Sequence, residues 1–331
     1  MKRLSISLLL AGTPLLAGTL IAAGGNPFLG RWDLTITSNG ETYPDWMEVT
    51  EENGNPKVRV QLRTGNVHPI AAKMDGSRLI VTVPPPNDAL NSSPTGVWEL
   101  TDKGEKISGI QKHGGAEDGK VIGHRAPLLK REAPNAWTTP ESLFNGKDLT
   151  GWEPINNTPP TATYSKSHWT AKDGELVNEG RGSNLRTTRT FDDFKLHVEF
   201  NLPEGENSGV YLRGRYETQV AVGGAPHPAS GAGAPAGANM AGTVGSIYGF
   251  LKFLLKAPIP ADTWHTYDIT LIGRSVTVVL NHFTGIDNQE IPGITGGAID
   301  SEEGKPGPIY FQGDHHGGIR YRNITICVSK H

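Results

Sequence analysis

The stretch Asn207-Ser-Gly-Val-Tyr-Leu-Arg-Gly-Arg-Tyr-Glu-Thr-Gln-Val220 alternates apolar even positions with odd positions that hold Tyr211, Arg213, Arg215, Glu217 and Gln219. A phenol, two guanidinium groups, a carboxylate and an amide are richer chemistry than the mixture of Thr, Ser and Lys that a solvated strand face usually shows. Two other stretches follow the same rule: His197 and Glu199 alternate with Leu196, Val198 and Phe200, and Tyr310, Gln312 and Asp314 alternate with Ile309, Phe311 and Gly313. With the three stretches side by side, one sheet face presents His197, Glu199, Arg213, Glu217, Gln219, Tyr310, Gln312 and Asp314. Planar carboxylate, amide, guanidinium and aromatic groups hydrogen-bond sugar hydroxyls and stack on pyranose rings, so the expected ligand is a carbohydrate.

Glu199 and Glu217 could form an acid and base pair for direct glycoside hydrolysis, their separation setting the stereochemical outcome. The Glu-x-Asp-x-x-Glu run of laminarinase-like jelly-roll glycosidases is absent. Asp314-His315-His316 is the other dense cluster. Adjacent side chains of an extended chain diverge and cannot easily reach one ion, so no cofactor is assigned, and a metal at Asp314 and His315 is left open. His315 suits proton transfer better, because an imidazole titrates near working pH.

The elements that must position these groups are short strands. From Phe28 to Arg131, alternating runs at 32–37, 57–62, 78–83, 96–100 and 106–111 are separated by turn clusters such as Glu52-Asn53-Gly54-Asn55, which predicts a small all-β domain over residues 26–131. Residues 132–141, with two X-Pro pairs, read as a linker. Residues 142–331 give strands at 176–178, 194–201, 209–222, 266–273, 275–280, 309–312 and 321–328 with no amphipathic helix, which predicts a jelly-roll β-sandwich. The segment 223–242, almost wholly Gly, Ala, Pro and Ser, reads as a mobile loop, ordinarily an inert spacer but a lid if it stands at the mouth of a concave sheet.

Composition narrows the partners. A net charge of -3 provides no clustered positive excess for nucleic acid. Lys2 and Arg3 before an apolar run from Leu4 to Ala23, with small residues at 22 and 24, read as a signal peptide over residues 1–25, so a periplasmic or secreted protein without a membrane span after cleavage is expected. Cys327 is the single cysteine, so no intrachain disulfide forms, and its place in Ile324-Thr-Ile-Cys-Val328 suits a buried small hydrophobe.

In order along the chain stand Ser142-Leu-Phe-Asn-Gly-Lys-Asp-Leu-Thr-Gly-Trp152, Asp192-Asp-Phe194, Asn207-Ser-Gly-Val-Tyr-Leu-Arg213, Tyr216-Glu-Thr-Gln-Val220, Trp264-His-Thr-Tyr267, Gly307-Pro-Ile-Tyr-Phe-Gln312 and Arg320-Tyr-Arg-Asn-Ile324. This series resembles the bacterial 3-keto-disaccharide hydrolase domain over roughly the last 190 residues; Asn281-His282-Phe283 departs from that family's usual Asn-Gly. The resemblance implies a concanavalin A-like jelly roll acting on oxidised sugars. A ketone at C3 acidifies the hydrogen on C2, so a base removes it, the enolate expels the C1 substituent, and water adds back. That chemistry assigns Glu217 or His315 to proton transfer and Arg213 to the developing oxyanion. Glu199 and Gln219 would orient hydroxyls, Tyr211 or Tyr310 would be a stacking platform, and Gln312, Asp314 and His197 would complete the substrate contacts. The alternative is a carbohydrate-binding protein without catalysis, which would show mutually paired polar groups and an open aromatic platform.

Overall fold

The computed structural model describes residues 25–61, 63, 65–83, 96–157, 166–222, 243–255 and 257–330. Nearly all of the expected signal peptide and the whole 223–242 loop lie outside the described residues. The described chain is all-β, and none of its segments is a helix long and apolar enough to cross a membrane.

Nine strands build the first unit: β1 (Gly30–Ser38), β2 (Glu41–Glu52), β3 (Asn55–Gln61), β4 (Val67–Ile70), β5 (Ala72–Asp75), β6 (Arg78–Val83), β7 (Gly96–Asp102), β8 (Lys106–His113) and β9 (Ala116–Arg125). They run in the antiparallel order β4-β3-β2-β1-β9-β8-β7-β6-β5. The end strands β4 and β5 are separated by Ala71 alone, whose carbonyl accepts the Thr82 amide, so the path closes on itself as a barrel. Trp32, Leu34 and Ile36 of β1 point inward with Val58, Val60, Leu79, Val81 and Trp98, filling the lumen. Asn39-Gly40 and Asn53-Gly54 each place two residues at positive φ, the backbone that a tight hairpin between twisted strands requires. Four strands beyond the five expected appear here. β2 was obscured because Pro44 and Asp45 interrupt its apolar alternation, and β9 because it is rich in Gly and charge.

The second unit is a two-sheet sandwich. One sheet contains β12 (Trp169–Lys172), β13 (Glu175–Asn178), β22 (Arg320–Val328), β15 (Phe194–Asn201), β18 (His265–Ile272), β19 (Ser275–Leu280) and β20 (Phe283–Glu290) in that order, with β10 (Glu141–Ser142) also on β22. The other contains β11 (Trp152–Ile155), β14 (Asn184–Thr187), β21 (Tyr310–Phe311), β16 (Asn207–Leu212) and β17 (Tyr216–Ala221). Between them Leu196, Val198 and Phe200 meet Val210, Leu212, Tyr216 and Val220, and Phe311 stacks between Trp152 at 5.1 Å and Tyr321 at 4.1 Å. The edge strand β20 is irregular: its register with β19 shifts twice, and Asp287 to Glu290 are exposed.

Two expectations are corrected by this topology. The stretch 209–222 is a hairpin rather than one strand, turning at Arg213 to Arg215 with Arg213 at φ 50°. Its face assignment survives because the register Tyr211↔Glu217 and Gly209↔Gln219 pairs odd with odd residues. The second correction concerns β15, which lies in the opposite sheet from β16, β17 and β21. His197 and Glu199 therefore cannot share a face with Glu217.

The barrel and sandwich meet over the outward side of β1 and β2. Trp46 is fully buried in the sandwich core, edge-on to Phe250 at 5.1 Å, and Thr35 Oγ1 lies 3.1 Å from Ser301 Oγ. Beside them Asp33 faces Glu303, which accepts the Tyr216 hydroxyl at 2.9 Å and an Arg274 guanidinium N–H at 2.9 Å. Burial first, then the Glu303 carboxylate, pushes Asp33 up to about 9 against the pull of Arg274 and Arg215.

Candidate active site

The outward face of the five-stranded sheet carries a polar row set by strand register: Glu153, Arg186, Tyr310, Tyr211 and Glu217 lie opposite one another on β11, β14, β21, β16 and β17. One step along, Asn184, Gly209 and Gln219 occupy the next row. Gly209 is required by close approach, since a Cβ there would lie 2.5 Å from Glu217 Oε1. The carboxyl of Glu217 thus folds back over the bare backbone of β16.

Glu217 Oε2 lies 2.9 Å from the Tyr211 hydroxyl, which lies 2.7 Å from the Gly296 carbonyl. The carbonyl can only accept, and Tyr211 has one proton to donate. Both contacts are hydrogen bonds at once when Glu217 is protonated and donates to Tyr211. Burial is the largest influence on Glu217; with the nearby Asp314 carboxylate it outweighs the Tyr211 hydrogen bond and pushes Glu217 up to about 8. Geometry and electrostatics agree on a carboxyl that is mostly protonated at neutral pH and keeps a minor ionised fraction.

The Tyr310 hydroxyl donates to the Gly297 carbonyl at 2.5 Å, and Asn157 Nδ2 donates to the same oxygen at 2.6 Å. Asn184 Nδ2 donates to Asn157 Oδ1 at 2.8 Å while Asn184 Oδ1 accepts the Gly313 amide, which places the Asp314 loop. The strip Thr295 to Gly297 is fixed from below: the Thr295 amide donates to the Arg215 carbonyl at 2.9 Å, and Thr295 Oγ1 accepts the Glu217 amide at 3.0 Å. Gln219 Nε2 and Gln312 Oε1 are buried atoms without a hydrogen-bond partner among the described residues. Buried polar atoms are ordinarily paired, so these two are suited to receive ligand hydroxyls. Asn157, Gln312 and His315 are half-buried, whereas Tyr211, Tyr310, Glu217 and Gln219 are covered.

The structure brings together Glu217, Tyr211, Tyr310, Gln219, Gln312 and Asp314, with His315 Nε2 3.5 Å from Asp314 Oδ1. It does not bring in the rest. Arg213 is fully buried at the hairpin tip, where it donates to Asp192 Oδ1, the Tyr216 hydroxyl and the Gly273 carbonyl, clasping the two sheets instead of facing the row. His197 pairs with Asp268 at 2.7 Å, and Glu199 with Arg322 at 2.7 Å and Asn323 at 2.6 Å, on the outer face of the other sheet. The sandwich core separates Glu199 from Glu217, so these two carboxyls are not an acid and base pair. The tyrosine rings stack on each other with centroids 3.8 Å apart at 14°, and both are buried, so neither is an open sugar platform. Among the described residues no group of three or more His, Cys, Asp or Glu side chains gathers as metal ligands would.

Asn157, Asn184 and the strip Thr295-Gly296-Gly297 were missed from sequence. Asn184 carried a signal in the alternation of Ser183-Asn-Leu-Arg-Thr187, but the strip acts through backbone carbonyls, which no residue type announces.

The family model for the 3-keto-alpha-glucoside-1,2-lyase-like domain matches residues 139–327, more than half of the chain. The chain belongs to that family. Membership places it among proteins that act on glycosides. Among solved structures, a Parabacteroides distasonis protein provisionally assigned as a glycosyl hydrolase is 26% identical, with 60% of this chain and 92% of that one covered and a TM-score of 0.44. A second protein of the same organism and assignment is 20% identical over 60% and 100% of the chains, with a TM-score of 0.45. Domain 4 of a Geobacillus stearothermophilus arabinanase, solved with arabinotriose, is 12% identical over 60% and 94%, with a TM-score of 0.34. No curated protein is significantly similar in sequence.

Proposed function

We propose that the protein is an enzyme that cleaves 3-keto-glycosides by proton transfer at C2, with Glu217 as the base. The observation that carries this reading is the buried Tyr310, Tyr211 and Glu217 row, in which a carboxyl held at about 8 stands over a sheet face lined with amides. A base titrating near working pH is what abstraction of a ketone-activated hydrogen needs, because it is partly ionised yet basic enough to take the proton.

In this reading Glu217 removes the hydrogen on C2 and the C–H electron pair moves to form the enolate of the C3 ketone. Gln219 Nε2, a buried donor without a partner among the described residues, receives the enolate oxygen in place of Arg213. Collapse of the enolate breaks the bond from C1 to the leaving oxygen, which takes a proton from His315 or from the newly protonated Glu217. Water then adds across the C1–C2 double bond, its proton going to C2. The buried, mutually stacked tyrosines weigh against the alternative of a binding module with an exposed platform.

Incubation with a 3-keto-disaccharide is the test, with released sugar followed by chromatography and the second product by mass. Addition of one water to the second product distinguishes hydrolysis from release of the elimination product. Release by the wild type and a loss of about 10³-fold in Glu217→Gln are the expected results. No release from a panel of keto-glycosides overturns the reading.

A further inference from the structure

We propose that the barrel is a working part of the active site: its residues Gln61, Arg63 and Gly65 position the Gly296 and Gly297 carbonyls, and through them the proton shared by Tyr211 and Glu217. The inference rests on the reading of Glu217 as the proton-transfer group. The barrel residues it involves lie outside the family match, which begins at residue 139.

Two contacts carry it. The Gly297 amide donates to the Arg63 carbonyl at 3.1 Å, and a Cβ on Gly296 would lie 2.7 Å from both the amide nitrogen and the carbonyl oxygen of Gly65. Gln61 Nε2 in turn donates to the Gly65 carbonyl at 2.6 Å. Backbone therefore rests on backbone, with the carbonyls of Gly296 and Gly297 directed to the Tyr211 and Tyr310 hydroxyls on the sandwich side. The second contact is separate in sequence. A Cβ on Gly249 would lie 3.2 Å from the Val67 amide and 3.4 Å from Asn66 Oδ1, and the neighbouring Tyr248 amide donates to the Glu217 carbonyl at 3.0 Å. The barrel thus presses on both segments that hold β17, from above Gly296 and from beside Tyr248.

A shift of the Gly296 carbonyl changes which acceptor takes the Tyr211 proton. With the carbonyl withdrawn, Tyr211 donates fully to Glu217, which stabilises the carboxylate. The titratable groups that act on Glu217 are Tyr211 from β16, Tyr310 from β21, Tyr321 from β22 and Asp314 from the loop after β21. Arg63, the charged side chain on the barrel side of this contact, faces Tyr43 and Glu41 instead. The coupling therefore runs through backbone position and not through a barrel charge.

The test uses the full chain in two variants that disturb the contact from opposite sides, Gln61→Ala in the barrel and Gly296→Ala in the sandwich. Glutamate carboxyl carbons are labelled, and the Glu217 resonance is assigned by its loss in Glu217→Gln. Both variants are expected to lower the Glu217 titration midpoint by about one pH unit or more. With the keto-disaccharide, both are expected to reduce kcat about 10-fold with KM nearly unchanged, because the reacting group and not the binding surface is displaced. The melting temperature of Gln61→Ala should fall by about 3 °C or less, which separates this effect from loss of fold. A Glu217 midpoint unchanged in both variants overturns the proposal and leaves the barrel a passive neighbour. If the wild type is inactive on every keto-glycoside, the proposed function fails on its own, and the carboxyl titration still decides whether the barrel sets the Glu217 proton.

Discussion

Glu217 has a pH signature that can be read without substrate. Its folded value is raised from 4.5 to about 8, chiefly by burial, so between those limits the native state holds a proton that the unfolded chain has released. Stability attributable to this group is therefore highest below about pH 4.5 and falls as pH rises towards 8, by up to about 5 kcal/mol over the whole window. Urea melts of Glu217→Gln across pH 5 to 9 should show a flatter profile than the wild type, because the amide has no proton to lose. Arg213 makes a contrasting prediction. Removing it leaves the buried Tyr216 hydroxyl and Gly273 carbonyl without that donor, while Asp192 keeps Arg131, so Arg213→Ala should cost about 3 kcal/mol in stability with little loss of kcat once folded. A collapse of kcat without loss of stability would return Arg213 to the chemistry. At this scale the sequence was informative wherever a side chain reports its own face, as it did for Tyr211, Glu217, Gln219 and Tyr310. It was silent where a backbone carbonyl does the work, as at Gly296.

The hairpin of β16 and β17 shows why residue pattern and element identity part company. Alternation along a chain fixes the side of a strand on which each residue lies, but not which sheet the strand joins, since that depends on pairings distant in sequence. His197 and Glu199 alternate as cleanly as Glu217 and Gln219, and only the pairing of β15 with β18 and β22 puts them on the outer face of the other sheet. The turn at Arg213 to Arg215 was hidden because an even offset between paired residues keeps the alternation unbroken across it. Gly209 is the element-scale test. In Gly209→Ala the added methyl occupies space taken by the Glu217 carboxyl, so the expected result is a kcat reduced about 100-fold, with circular dichroism of the sheet unchanged. Wild-type kcat in this variant would mean that the carboxyl does not need its place over β16.

For the molecule as a whole, the sequence suggested two β units but gave no sign that they share buried groups. Trp46 belongs by chain position to the barrel and by packing to the sandwich core, and Asp33 with Glu303 forms an acid pair at the same boundary. Asp33 is raised to about 9, so as pH climbs above the ordinary carboxylate range the native state retains a proton the unfolded chain has lost, and stability declines until that proton leaves. Calorimetry from pH 7 to 10 should therefore show a falling melting temperature in the wild type and a smaller fall in Asp33→Asn. Both proteins should melt in one transition while Trp46 remains in the sandwich core. A separate barrel transition in the wild type would show that the boundary does not couple the units.

The irregular edge of the sandwich has a consequence for crowded solutions. A straight, apolar outer strand is a template on which a second copy can add backbone hydrogen bonds. β20 offers instead two breaks in register, and its exposed end runs Asp287, Asn288, Gln289 and Glu290, with the Glu290 carboxylate already engaged by Arg31 of the barrel. The barrel, closed on itself, leaves no long free edge of its own. Sheet-to-sheet growth between molecules is thereby disfavoured at β20 and at the barrel, for reasons unconnected with the polar face of the five-stranded sheet.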